Sequence, residues 1–258
     1  MIEPDPLIMR ATVHISGIEP PITRTLELPM DLNLAQLHGV LQATFGWSDS
    51  HLHQFNIGGL TYGAPEFDED GLTAHRIFEA SDVRLADFVV PYNAPIIITY
   101  EYDFGDCWSH VIEMTRRPRE ADVRYPRCVA GSRAGPPEDV GGSPGYADFL
   151  EAWRDPAHEQ HHDMRRWVGK KFDPERFDLV EKTKRSRARS EALGSAIATG
   201  SEIDRRRHGS VGTFEFSGTK PSGEVPPLLI PVDRLGVSQH RSFSHRGHET
   251  RDWLASSS

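Results

Sequence analysis

Residues 99–114, TYEYDFGDCWSHVIEM, set two carboxylates, a thiol, an indole and an imidazole within eight residues around one turn. Side chains alternate along a strand, so Trp108 and His110 share a face, and His51 and His53 of HLHQF share a face of their own segment. Convergence of His110 with Asp103 or Asp106, and with the two HLH imidazoles, would make a divalent-cation site or an acid–base centre. The plainer reading is a turn: Asp103 and Asp106 accept backbone N–H bonds around Gly105, which supplies a positive φ, while Trp108 packs into the core. The kinase DFG reading of the same letters fails, because no glycine-rich phosphate loop, V-A-I-K strand or H-R-D loop precedes them.

PPEDVGG is a second candidate. Pro136-Pro137 stiffens the approach, Gly141-Gly142 permits unusual backbone angles, and Glu138-Asp139 is a carboxylate pair that must be satisfied by donors or cations. Either the pair caps neighbouring N–H groups or it belongs to a binding pocket with His51, His53, Asp103, Asp106, Trp108 and His110. In the second case residues 116–142 fold back over the hairpin and bring Glu138 or Asp139 within reach of it.

His158-Glu159-Gln160-His161-His162 contains H-E-x-x-H, a zinc-peptidase spacing that offers His158 and His162 as alternative ligands. Its polar surroundings favour a solvated His-rich helix, and only Glu181 is loosely available as a third ligand. Recombinase chemistry finds no nucleophile: His162-Asp163-Met164-Arg165 has the H-x-x-R spacing, but no tyrosine follows Tyr146. Ser16 with Arg10 and Arg24 makes a poor serine site.

The elements that must position these groups are partly legible. Segments 7–17 and 22–29 are β-rich and flank Glu19-Pro20-Pro21. Leu34, Leu37, Leu41 and Phe45 recur at helical spacing, with Asn33 as N-cap, Gln36 at the capping-box position and Gly46 as the stop. Strands follow at 51–59 and at LTYG, and then the PIIITYEYD and CWSHVIEM hairpin. Periodicity vanishes over 116–142, which is long for a connection, and its Cys, aromatic and Pro-Pro content favours an ordered loop. Ser143-Pro144, Asp155-Pro156 and Asp173-Pro174 each read as a helix start. The expected class is α+β: a mixed or antiparallel sheet with one helix packed on it, followed by a C-terminal helical segment.

The chain has 258 residues and a net charge of −9. Residues 1–180 hold 16 Lys+Arg against 29 Asp+Glu, whereas 181–258 hold 13 against 9. An acidic body argues against a large phosphate-binding surface there, so a nucleic-acid partner would use KTKRSRAR at 182–189. Beyond about residue 190 amphipathic periods are absent and VPPLLIPV is a short proline-broken apolar island. The expected division is a domain over 1–190 and a disordered or loosely attached tail over 191–258. Two cysteines, Cys107 and Cys128, read as free thiols. The start MIEPDPLIMR has no signal-peptide pattern and no apolar run approaches a spanning length, so a cytoplasmic protein without membrane association is expected.

FGWSDSHLHQF (45–55), YDFGDCWSH (102–110), YPRCVAGSRAGPPEDVGG (125–142), GYADFLEAWRDPAH (145–158) and WVGKKFDPERFDL (167–179) occur in the order of the plasmid pRiA4b ORF-3-like family, which this chain resembles over roughly 7–180. The resemblance implies an α+β domain from mobile elements, a transposon passenger labelled resolvase-like. Many relatives carry Cys where Val140 stands here. The readings that follow are a mobile-element accessory or binding factor, with nucleic acid or a protein as partner, and alternatively a metal-dependent hydrolase using the HLH, DFGD and PPED groups.

Overall fold

A computed structural model describes residues 6–65, 76–88, 94–169 and 171–207, with side chains through 195. The strands are β1 (Leu7–Ile15), β2 (Thr23–Pro29), β3 (His53–Ile57), β4 (Leu60–Gly63), β5 (Ile77–Glu79), β6 (Ile96–Tyr102), β7 (Trp108–Pro118) and β8 (Arg127–Ser132). They form one sheet in the order β5-β4-β3-β6-β7-β1-β2-β8, antiparallel except for the β4–β5 pair. The helices are α1 (Leu34–Phe45), α2 (Gly142–Arg154), α3 (His161–Val168) and α4 (Leu179–Arg207). The class is therefore α+β, with a mixed sheet.

Strict alternation builds the core. Met9, Ala11, Val13 and Ile15 of β1, Ile112 and Met114 of β7, and Ile96, Ile98, Tyr100 and Tyr102 of β6 all point to one buried face. Helix α1 lies on that face through Leu34, Leu37, Leu41 and Phe45. Its capping box is formed, with Asn33 Oδ1 accepting the Gln36 N–H at 2.8 Å and Gln36 Oε1 accepting the Asn33 N–H at 3.0 Å, and Gly46 closes the helix in the left-handed region. Helix α4 crosses α1 where Gly39 leaves room for Leu193, and it also packs on β8.

Several expectations are corrected. Gly105 does not carry the positive φ of the β6–β7 turn; Asp103 (57°) and Cys107 (54°) do. The 116–142 stretch is not one loop, because β8 within it pairs with β2 across a bulge at Thr25/Leu26. Its Gly131 sits under the Phe177 ring, which explains a strand with a weak propensity signal. Gly141, not Ser143, caps α2; the Ser143 hydroxyl donates instead to the Ser16 carbonyl. Asp155 and Asp173 each cap only a turn, through the Ala157 and Glu175 N–H groups, and the helices begin later, at His161 and Leu179. Helix α4 runs across residue 190, and VPPLLIPV lies outside the described residues.

A buried imidazole, His110, and a half-buried one, His53, make the fold sensitive to acid. Burial pushes His110 down to about 4 and His53 down to about 3, from an ordinary value of 6.5. A depressed folded value means that the unfolded chain takes up the proton first. The stabilisation is complete above about pH 6.5 and drains as pH falls towards those values, by at most about 1.4 kcal/mol for each pKa unit of separation. Urea midpoints should therefore fall between pH 6.5 and pH 4. His110→Phe should flatten that acid limb; an unchanged limb would remove His110 from the account.

Candidate functional site

The β6–β7 turn is built by Asp103, whose Oδ1 accepts the N–H groups of Gly105 (3.0 Å) and Asp106 (3.3 Å). Its other oxygen, Oδ2, faces His51 Nε2 at 3.6 Å. The segment after β8 then returns to this turn. Trp47 Nε1 donates to the Pro136 carbonyl at 3.0 Å, Gly141 N–H donates to Asp106 Oδ2 at 3.0 Å, and a Cβ on Gly142 would overlap the Asp106 carbonyl oxygen. Asp139 Oδ1 consequently stands 2.9 Å from His51 Nε2. That nitrogen has no hydrogen-bond partner among the described residues, so the contact lacks hydrogen-bond alignment. His51, Asp103 and Asp139 present one ligand atom each, all within 4.8 Å of one another.

Glu138 turns the other way. Its Oε1 accepts from the Ser48 N–H (2.7 Å), the Ser48 hydroxyl (3.1 Å) and the Tyr102 hydroxyl (3.1 Å). Burial, together with the Glu138 charge, raises the Tyr102 phenol above its ordinary value, so it stays a proton donor.

A second group, which motif reading missed, lies beneath α1. Gln42 Nε2 donates to the Tyr100 hydroxyl (3.2 Å), which lies 2.8 Å from His38 Nδ1; His38 Nε2 lies 2.6 Å from Asp49 Oδ1, and the Asp49 N–H donates to Gln42 Oε1 (2.8 Å). With the proton of His38 on Nε2, this is a closed ring in which every member donates once and accepts once. The hydrogen bond from His38 holds the Asp49 carboxyl below the usual range, and Arg189 of α4 clasps its other oxygen. His53 stacks flat on His38, centroids 3.5 Å apart, and its Nε2 has no partner. His38 and Gln42 were detectable as polar residues spaced by four on the inward stripe of an otherwise apolar helix face.

The two groups meet at a cavity of about 240 Å³ lined by Asp49, His51 and His53, with Leu52 and Phe104 exposed at its rim. Among the described residues, six non-glycine positions have left-handed backbone, and three of them are Asp49, Asp103 and Asp139. Aspartate tolerates this region better than most residues, and packing must hold it there.

Other candidates lie elsewhere. His110 does not join the carboxylates: it is buried against Phe45 and Trp47, with Nδ1 at 3.0 Å from the Trp108 carbonyl. Trp108 is core, tilted against Trp47. His158 precedes α3 while His162 lies on it, so H-E-x-x-H does not place two imidazoles on one helix. In 182–189 Arg185 pairs with Glu181, Arg187 donates to the Pro126 and Arg124 carbonyls, and Arg189 holds Asp49, leaving the half-buried Lys182 and the exposed Lys184 without such a contact among the described residues.

A mixed α+β sheet carrying an imidazole–carboxylate cluster on its hairpin loops defines the class. Within it, the chain belongs to the plasmid pRiA4b ORF-3-like protein family, whose model matches residues 8–181. It is 35% identical over 164 residues to the uncharacterized protein y4hQ of Sinorhizobium fredii (strain NBRC 101917 / NGR234), covering 63% of this chain and 81% of that one. It is also similar to the crystal structure of MM3350, a protein of unknown function from Methanosarcina mazei Go1, at 32% identity and a TM-score of 0.60, covering 68% of this chain and 96% of that one. No described helix is long and apolar enough to cross a membrane.

The ring under α1 supplies its own test. Tyr100→Phe strands His38 Nδ1 and Gln42 Nε2 in the core, and should cost about 1–3 kcal/mol. Denaturant midpoints measure it, and a loss indistinguishable from zero would show that the ring contributes nothing.

Proposed function

We propose that this protein binds a divalent cation through His51, Asp103 and Asp139, and that the bound cation serves hydrolytic chemistry in the adjoining cavity. The observation that carries the reading is His51 Nε2, which faces two carboxylate oxygens at 2.9 and 3.6 Å and makes no hydrogen bond. Donors that share an octahedral cation at about 2.1 Å stand about 3.0 Å apart along an edge, so these separations suit shared coordination. One imidazole and two carboxylates suit Mn²⁺, Mg²⁺ or Zn²⁺, and they leave positions for water and substrate. Bound there, the cation would polarise a substrate oxygen and lower the pKa of water.

The protein's own groups have separable roles. Asp106 and Gly142 hold the returning segment that carries Asp139. The ring through His38 fixes Asp49, two residues before His51. Glu138, on the same segment, accepts hydrogen bonds from the Tyr102 and Ser48 hydroxyls and is the carboxylate we assign to proton exchange with the substrate. Leu52 and Phe104 offer an apolar rim to a substrate. The accessory-factor reading rests only on what the family resemblance implies, and the cations of 182–189 that it would need are mostly committed to internal contacts.

Calorimetric titration of the EDTA-stripped full chain with MnCl₂ and ZnCl₂ should show saturable binding. His51→Ala and Asp139→Asn should each weaken it by at least about tenfold. His158→Ala should leave it unchanged. Equal affinity in Asp139→Asn and wild type would sink the assignment; with binding established, turnover of chromogenic phosphate and carboxylate esters by the loaded protein tests the hydrolytic half.

A further inference from the structure

A cleft of about 900 Å³ lies between the end of α1, the 134–137 segment and the start of α4. Its walls include Lys171, Arg176, Lys182 and Arg185 together with the rings of Phe45 and Phe172. Two of these cations are offset: Arg176 lies 3.5 Å from Asp178, and Arg185 lies 2.6 Å from Glu181. The third acid, Asp173, is turned to the Glu175 N–H. Lys171 and Lys182 have no carboxylate within salt-bridge distance among the described residues.

Behind Lys182 is a second uncompensated cation. Arg24 is fully buried and sandwiched between Phe45 and Phe177, its guanidinium carbon 4.8 and 5.0 Å from the ring centroids. Nε and Nη1 donate to the carbonyls of Thr44, Thr23 and Ser132, and Nη2 has no partner. No carboxylate pairs with it among the described residues. Burial lowers Arg24 to about 10, and burial followed by the charges of Arg24 and Arg185 lowers Lys182 to about 8. Glu181 offsets the Lys182 charge only in part, and none of the described carboxylates pairs with Arg24, so the two cations bear a desolvation and repulsion cost that a bound anion would relieve.

We propose that this cleft is an oxyanion site that takes a phosphate group, with Lys182 and Lys171 as its contacts, the Arg24 charge behind them, and Phe45 and Phe172 bordering the rest of the ligand. The competing explanation is that Lys182 merely serves the carbonyl end of α1, since its Nζ lies 3.5 Å from where a Cβ on Gly46 would stand. The two explanations predict different behaviour of the same variant.

The experiment is thermal denaturation of the full chain in EDTA with sodium phosphate, against sodium chloride of equal ionic strength, for wild type, Lys182→Met and Lys171→Ala. EDTA separates the result from the cation reading above. The expected result is a saturating rise of the wild-type midpoint, with the half-saturating phosphate concentration raised at least about tenfold in Lys182→Met and raised also in Lys171→Ala. Lys182→Met should itself melt no lower than wild type without phosphate, because it removes a half-buried cation that faces the Arg24 charge. A midpoint insensitive to phosphate beyond the chloride control, or equal phosphate stabilisation in a Lys182→Met protein that melts lower, would overturn the proposal. Lys171→Ala keeps the test decisive if Lys182→Met does not fold. In a parallel arm, a short DNA duplex that competes with phosphate identifies a nucleic-acid backbone as the phosphate source, and one that does not identifies a free phosphate ester.

Discussion

The return of residues 133–142 onto the β6–β7 turn is the contact on which the site depends. It is made by backbone rather than by side-chain bulk. A Cβ on Gly135 would overlap the Phe45 carbonyl, and one on Gly142 the Asp106 carbonyl, so two glycines let main chain lie on main chain at both ends of the segment. Between them Trp47 takes the Pro136 carbonyl, and Glu138 takes the Ser48 N–H. The paired prolines limit the conformations that the segment loses on docking. Only with this return does Asp139, at the segment's apex and in a left-handed conformation, meet an imidazole from a different part of the chain.

What lies under α1 has a different logic. A helix face that buries Leu34, Leu37, Leu41 and Phe45 also buries His38 and Gln42, whose polar atoms would be costly there unpaired. The closed ring with Tyr100 and Asp49 satisfies them without water, and Arg189 ties the ring to α4. His110 is the contrasting case: its Nε2 faces aromatic rings without a partner, which holds the imidazole neutral and makes it structural. His51, His38 and His110 thus have three fates, decided by whether carboxylates, a side-chain ring network, or backbone carbonyls and aromatic rings reach them.

The sequence made α1 legible down to its cap, because capping box, periodic stripe and terminal glycine agree. It made the strands legible through alternation, and the family through five ordered motif blocks. The turn grouping of Asp103 with Asp106 is legible from the glycine between them, and the return of Asp139 from the Pro-Pro and Gly-Gly that bracket Glu138-Asp139. Asp49, His38, Gln42 and Tyr100 were not singled out: their association depends on helix α1 docking over β6, a contact without a local signature. Strand β8 escaped because an edge strand reading RCVAGS gets its stability from pairing with β2 and from the Phe177 ring over Gly131. The Asp-Pro starts failed because Asp-Pro also opens single turns, and α4 is capped instead by Asp178, whose Oδ1 accepts the Glu181 N–H at 2.9 Å.

The same two loops, 45–51 and 134–141, divide the molecule electrically. Towards the β6–β7 turn they present His51, Glu138 and Asp139; on the cleft side they present aromatic and proline surface against Lys171 and Lys182. In a chain of net charge −9 a buried cation would ordinarily find a carboxylate. Arg24 is held instead by three carbonyl oxygens and two aromatic faces, groups that stabilise a guanidinium without cancelling its charge. Had a carboxylate taken that place, the field behind Lys182 would close on itself. Because dipoles and quadrupoles do the work, the positive charge stays uncancelled behind the cleft wall, where low-dielectric surroundings carry it further than water would.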